Sequence, residues 1–181
     1  MYNYLIDHNK EFIYYVTPKC ASRTFFDIFN FKGGEERPLS LKHEEYFSWT
    51  FVRNPYARVV SAYQNKVVDK FQSGLDEFRH LTSFKDFVQA ISEIDINKAD
   101  RHIRPMNTFF PESISYVGKL ENLNCDFDFI CDKINLPKVN LPHLNKSLSK
   151  DYTEYYNTET QSIVKKIYSK DLDLFKYSYG D

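Results

Sequence analysis

The stretch Glu11-Phe12-Ile13-Tyr14-Tyr15-Val16-Thr17-Pro18-Lys19-Cys20-Ala21-Ser22-Arg23-Thr24 decides how the rest of the chain is read. Residues 11–16 are apolar, aromatic or β-branched at most positions and stop at Thr17-Pro18, the pattern of a buried strand. Thr24 to Phe31 then reads as a helix ending ahead of Gly33-Gly34. A strand, a tight loop and a helix start can form an anion site, because the N–H groups of the first helical turn point outward and the helix dipole favours negative charge. Lys19 adds a positive charge, Ser22 and Thr24 add hydroxyls, and small Ala21 lets a phosphate approach the backbone. An ordinary strand–helix turn with Ser or Thr as N-cap has the same outline. The segment alone leaves both readings open.

The order of residues narrows the first reading. A Walker A loop places Lys after a run of glycines, whereas here Lys19 comes first and the loop holds no Gly. ATP hydrolysis of the Walker type is not expected. Cys20 sits where a helix N-terminus would lower a thiol pKa, but a phosphatase loop needs an Arg six positions on, and residue 26 is Phe. Cys20 therefore reads as a small loop residue.

Outward from this unit the pattern repeats. Ser48 to Arg53 reads as a second strand ended by Asn54-Pro55, with Pro55 suited to a first helical turn. Val59, Tyr63, Val67 and Phe71 then recur every four residues. A helix from about Ser83 carries Phe84, Phe87, Val88 and Ile91 on one face. Ser113 to Gly118 reads as a third strand, Glu121 to Ile134 as a helix, Pro137 to Lys150 as a loop and Thr158 to Ser169 as a last helix. Pro38 to Phe47 is ambiguous. The alternation predicts an α/β fold with a mostly parallel central sheet flanked by helices, and ligands bind such sheets beyond the carboxyl ends of the strands. Segments 17–24 and 53–61 both fall there.

Bulk properties set limits. The 181 residues, 42% of them hydrophobic, suit one domain over residues 1–181 with its own core. A net charge of −1 argues against a general nucleic-acid binder. The 14 Tyr and 16 Phe read as an aromatic core, with a sugar-stacking surface as the sharper alternative. Three cysteines at 20, 125 and 131 make a poor disulfide framework. The first eight residues lack a signal-peptide pattern, and no apolar run reaches the length of a membrane span. The expectation is a soluble, cytoplasmic protein without stable membrane insertion.

In Phe51-Val52-Arg53-Asn54-Pro55-Tyr56-Ala57-Arg58-Val59-Val60-Ser61-Ala62-Tyr63, Arg53 stands at a strand end and Ser61 two turns into the next helix. Arg can take a phosphate bidentately, and a Ser hydroxyl can complete the grip. Arg58, Ser61 and Asn65 are expected to share a face away from the apolar stripe. At this point the chain resembles the carbohydrate sulfotransferase family. Pro18, Lys19 and Thr24 fit the family's P-K-x-x-x-[ST]-[ST] loop. Arg53, Asn54, Pro55, Arg58, Ser61 and Tyr63 fit its R-[ND]-P-x-x-R-x-x-S-x-Y segment. His102-Ile103-Arg104-Pro105-Met106, Tyr116 to Leu123, Leu141 to Ser147, Tyr155-Tyr156 and Asp171 to Tyr177 resemble later family segments, so the likeness runs from about residue 11 to 179. Arg23 departs from the family's usual Ser or Thr, and Met106 from a common Gln.

The resemblance implies a P-loop NTPase-like three-layer fold and 3′-phosphoadenosine 5′-phosphosulfate as sulfate donor. Residues 19–24 (Lys19, Cys20, Ala21, Ser22, Arg23 and Thr24) would grip the 5′-phosphosulfate, Arg53 and Ser61 the 3′-phosphate, and Lys146 and Ser147 would cover the donor, with His143 ordering their loop. The acceptor would be a hydroxyl of a carbohydrate or glycan-like molecule. Sulfuryl transfer parallels phosphoryl transfer, with in-line attack and catalysis by positioning and electrostatics. Lys19 would neutralise charge on the leaving oxygen. A base must take the hydroxyl proton. His43 in Leu41-Lys42-His43-Glu44-Glu45 is the first candidate, His102 the second, and Glu44 or Glu45 a carboxylate alternative. Arg104 beside His102 could contact an acidic acceptor. No His/Cys spacing matches a metal site, and the transfer requires no metal. A small-molecule kinase and a non-catalytic bisphosphonucleotide-binding domain are the competing readings.

Overall fold

The structure is a computed structural model and describes residues 2–30, 43, 45–139, 141 and 151–181. The chain forms two compact units, one of residues 1–52 and 109–144, the other of residues 53–108 and 145–181.

The first unit is built on a four-stranded sheet in the order β1 (Tyr4–Asp7), β2 (Phe12–Tyr15), β3 (Phe47–Val52), β4 (Tyr116–Lys119). β2, β3 and β4 are parallel neighbours, and β1 is an antiparallel edge strand. The expected α/β class with a mostly parallel sheet is therefore present. β1 is an element that the sequence reading did not anticipate. Its four residues are too short to show a period, but Leu5 pairs with Tyr14 and Ile6 with Ile13 across a tight turn at Asp7, whose carboxylate accepts the N–H groups of Asn9 and Lys10.

Alternation along β2 and β3 sends Phe12, Tyr14, Trp49 and Phe51 to one face. There they meet Phe25 of α1 (Ser22–Ile28) and Phe127 of α4 (Leu123–Lys133), so both helices cover that face. Tyr14 and Trp49 stack with centroids 4.3 Å apart. Gly118 is opposite Phe51 in the ladder, where a Cβ would come 2.7 Å from the Phe51 ring. The strand can pass this ring only as glycine.

The second unit is helical: α2 (Pro55–Ala62), α3 (Phe84–Ser92), α5 (Thr158–Ile167) and α6 (Ser169–Phe175). Pro55 begins α2 as expected, with Asn54 as its N-cap accepting from the Tyr56 N–H. The four-residue apolar spacing does not hold to its end. After Ala62 the helix widens into a π-helical segment over Tyr63–Val68, marked by the Asp69 N–H bonding back to the Gln64 carbonyl. The wider turn shifts the phase, so Val59, Tyr63 and Val67 are buried while Phe71 is exposed beyond the helix. Lys66, in turn, points inward, its Nζ donating to the carbonyls of Phe71 and Ser73. α3 begins at the Ser83 cap, and Tyr63, Phe84 and Phe87 pack as an aromatic group. The 171–177 tail contains α6, a helix that the sequence pattern did not reveal.

Candidate active site

The loop between β2 and α1 is shaped by its backbone. Lys19 and Ala21 both hold left-handed φ angles, 70° and 61°, with Cys20 between them. Alternation of hand along successive residues curls the chain so that its N–H groups face one concavity, a geometry suited to anions. Ala21 is the N-cap of α1 and gives it no side-chain cap. The loop is anchored at its start: the Thr50 hydroxyl donates to the Tyr15 carbonyl, which leaves the Thr17 hydroxyl to donate to Thr50 Oγ at 2.9 Å. Lys19 and Ser22 are half-buried, Arg23 is exposed and Thr24 is buried under the helix. Cys20 is fully buried with its thiol donating to the Pro18 carbonyl, as fits a small packing residue.

His43 does not join this loop. Its ring lies 5.4 Å from that of His8 and 5.3 Å from that of Tyr46. His8 follows the end of β1 that pairs with Phe12, so this aromatic group sits at the N-terminal edge of β2 and β3. The loop leaves the opposite edge. At a rise of about 3.3 Å per residue, the strand from Phe12 to Val16 alone puts roughly 13 Å between the two edges. Glu44, His143, Lys146 and Ser147 lie outside the described residues.

Arg53, Ser61, His102 and Arg104 belong to the second unit. Arg53 is half-buried just beyond β3, its N–H directed at Met106 Sδ at 3.5 Å. The face expected to be open on α2 is instead closed: Arg58 is 1% and Ser61 4% exposed. The reason lies in residues 99–107, which wrap the helix with carbonyls pointing inward. Arg58 donates to the carbonyls of Arg104 (2.8 Å) and Arg101 (3.1 Å). Arg104 turns back through Nε and Nη2 onto the Ala99 carbonyl. Tyr168 donates its hydroxyl to the Ile103 carbonyl at 2.5 Å. Asp171, fully buried, accepts from the N–H groups of Met106 (2.6 Å) and Asn107 (3.0 Å).

This framework presents His102, which is 9% exposed. Asp100 Oδ1 accepts from its backbone N–H at 2.8 Å and meets its Nδ1 at 2.6 Å. Gly74, at φ +109°, lies against the ring, where a Cβ would approach Nδ1 and Cε1 to 2.9 Å. Burial alone would raise the Asp100 carboxyl, but the hydrogen bonds from the His102 ring and backbone outweigh it and hold the group at about 2. Burial lowers the His102 imidazole below its ordinary value, against the pull of Asp100 and with the push of Lys66 and Arg101. Asp100, Lys66 and Gly74 fall in none of the segments that carry the family resemblance, and Asp171 entered only as part of the 171–177 tail. Only the Asp-x-His spacing, typical of an Asx turn, hinted at the first.

No group of His, Cys, Asp and Glu able to hold a metal occurs among the described residues, and no helix among them is long and apolar enough to cross a membrane.

A P-K loop thus follows one parallel strand and an Arg-Asn-Pro helix start follows the next. Residues 2–178 match the Sulfotransferase family, and the chain belongs to it. It is 26% identical over 171 residues to carbohydrate sulfotransferase 14 of Danio rerio, a match covering 77% of this chain and 47% of the relative. The chain thus spans about half the length of the curated relative it matches. No solved structure matches it.

Proposed function

We propose that the chain transfers a sulfuryl group from 3′-phosphoadenosine 5′-phosphosulfate to a hydroxyl of a carbohydrate or glycan-like acceptor. The observation that carries this reading is the family match across residues 2–178. The relative's name, carbohydrate sulfotransferase 14, supports the acceptor class. The left-handed Lys19 and Ala21 backbone supports a cradle for the 5′-phosphosulfate, formed by residues 19–24. Lys19 stabilises the charge that develops on the leaving phosphate oxygen. Arg53 and Ser61 take the 3′-phosphate, with Lys146 and Ser147 covering the donor. A histidine accepts the hydroxyl proton. His43 is the first candidate by sequence and His102 the second. No metal takes part in this scheme. Three cysteines held as free thiols fit a reducing compartment such as the cytoplasm.

Thermal shift separates this reading from its competitors. Stabilisation by adenosine 3′,5′-bisphosphate but not by ATP with Mg²⁺ is expected, and stabilisation by ATP-Mg²⁺ alone sinks the proposal in favour of a kinase. Transfer of labelled sulfate to a carbohydrate panel, abolished by Lys19→Ala, then distinguishes a transferase from a binding domain without turnover.

A further inference from the structure

Asn54 is the joint between the two groups assigned to the 3′-phosphate. Arg53 precedes it in the chain, and Ser61 lies inside α2, the helix that Asn54 caps. The Asn54 side chain is fully buried and uses both of its ends. Oδ1 accepts the Tyr56 N–H at 3.0 Å and closes the first turn of α2. Nδ2 donates to the Ser178 carbonyl at 2.8 Å and faces the Tyr152 hydroxyl and the main-chain oxygen of Asp181, each 3.5 Å away. Capping needs only the oxygen, and Ser or Asp would supply it as well. The amide nitrogen adds what a cap does not require: it latches residues 178–181 onto the start of α2.

The latched segment is itself built. The Tyr152 hydroxyl accepts the Gly180 N–H at 2.7 Å and donates to the main-chain oxygen of Asp181 at 3.3 Å. Tyr179 donates its hydroxyl to the Thr153 carbonyl at 3.1 Å, and its ring stands edge-on to Tyr56. Tyr156 donates to the Tyr56 carbonyl at 3.0 Å. Residues 151–156 and 178–181 therefore close on residues 54–56, all of them within the second unit. Arg53 lies in neither strand nor helix, and its own N–H is directed at Met106 Sδ. The direction in which its side chain leaves the main chain is thus set by these neighbours.

We propose that Asn54, latched through Nδ2 to residues 178–181 and supported by Tyr152, is the positioning residue of the 3′-phosphate site. It holds Arg53 and the start of α2 in the relation that lets the guanidinium and the Ser61 hydroxyl act on one phosphate. Asn54 itself does not touch the ligand. The inference rests on the sulfuryl-transfer reading above and deepens it: discrimination of a 3′-phosphorylated nucleotide from one without that phosphate depends on the latch. A side chain already held in its bound direction loses less freedom when the ligand arrives, so loosening the latch weakens the grip on the 3′-phosphate and on no other part of the nucleotide.

The test reads what the 3′-phosphate adds to binding: the affinity for adenosine 3′,5′-bisphosphate divided by that for adenosine 5′-phosphate, measured by calorimetry on the full chain. Arg53→Ala is expected to lower this ratio at least about tenfold, as a charge-assisted contact is lost. Asn54→Ser keeps an oxygen cap and loses the amide donor. Tyr152→Phe keeps the ring and loses the hydroxyl. Each is expected to lower the ratio about threefold to tenfold, with the affinity for adenosine 5′-phosphate within about twofold of wild type. In the Arg53→Ala background neither substitution lowers the ratio further, the non-additivity of a residue that acts through another. A merely structural role would lower the melting temperature and weaken both nucleotides alike, leaving the ratio in place. A ratio kept in Asn54→Ser, or in Tyr152→Phe should the first variant not fold, overturns the inference and leaves the parent reading standing. So does a loss that adds in full to that of Arg53→Ala. A wild-type chain that does not bind the bisphosphate overturns the parent reading and this inference with it.

Discussion

Two pieces of this protein carry its most telling residues, and they are held in shape by different means. The 17–24 loop takes its form from the main chain: two left-handed residues, Lys19 and Ala21, between a buried strand and a seven-residue helix. Residues 99–107 take theirs from side chains reaching in from elsewhere in their unit, namely Arg58, Tyr168 and Asp171. The difference has a consequence for substitution. A backbone-shaped loop tolerates loss of its functional side chain. A segment shaped by side chains fails when a distant one is removed, although that residue touches no ligand.

Arg58→Ala is the strongest way to sharpen this contrast. It removes a guanidinium that is 1% exposed and leaves two carbonyls without their donor. Loss of about 3 kcal/mol is expected, combining the unmet polar groups and the void. Urea denaturation measures it, with Lys19→Ala as the partner experiment expected to cost clearly less. Equal losses in the two variants would break the comparison. Asp171→Ala is next, at about 2 to 3 kcal/mol, because the Met106 and Asn107 N–H groups lose their acceptor inside the protein. Asp171→Asn keeps one acceptor oxygen and is expected to fall between Asp171→Ala and wild type.

The same division explains what could be read from the sequence. β2, the loop and α1 were legible because a buried apolar strand, a Pro-Lys turn and a helix lie consecutively in the chain. β3 and Pro55 at the start of α2 were legible for the same reason. What was hidden depends on partners remote in sequence. Arg58 was expected on an open face, since nothing in its own helix reveals the carbonyls of residues 101 and 104. Asp171 lies more than sixty residues from the amides it binds. The π-helical widening after Ala62 interrupts a period that looked regular to Phe71. His43 was chosen by its place before β3, and it is the pairing of β1 with β2 that sets it at the sheet's other edge.

Ala21 tests the loop's half of the contrast with a smaller effect. At φ 61° and ψ 17° an L-residue carries strain that glycine does not. Ala21→Gly is expected to change stability by no more than about 1 kcal/mol, with stabilisation favoured, as relief of the left-handed strain competes with the greater freedom of the unfolded chain. Ala21→Val is expected to destabilise by about 1 to 2 kcal/mol, as a branched Cβ fits the left-handed region worse. A thermal melt orders the three. Should Val match Ala, the loop is not shaped by its backbone, and the contrast drawn with residues 99–107 fails.

The last prediction concerns acid, which is expected to act on one of the two regions more than on the other. Burial lowers the His102 imidazole in the folded state, so the unfolded chain takes up that proton first as pH falls through the ordinary histidine range. Stability contributed there is present above that range and lost below it. Asp100, held at about 2, acts in the same direction further down: its contribution is complete above the ordinary carboxylate value and disappears as pH approaches 2. Both groups sit in the 99–107 segment, whereas β2 and α1 belong to the other unit. Hydrogen exchange at pH 7 and pH 5, corrected for intrinsic rates, is therefore expected to show amides of residues 99–107 opening more readily at pH 5. The protection of β2 should change less. His102→Gln should remove the difference between pH 7 and pH 5, because the titrating group is gone while the Arg58 and Asp171 anchors stay. Loss of protection that is as large in β2, or that persists in His102→Gln, would mean that the acid response belongs to the chain as a whole and not to the segment that side chains hold.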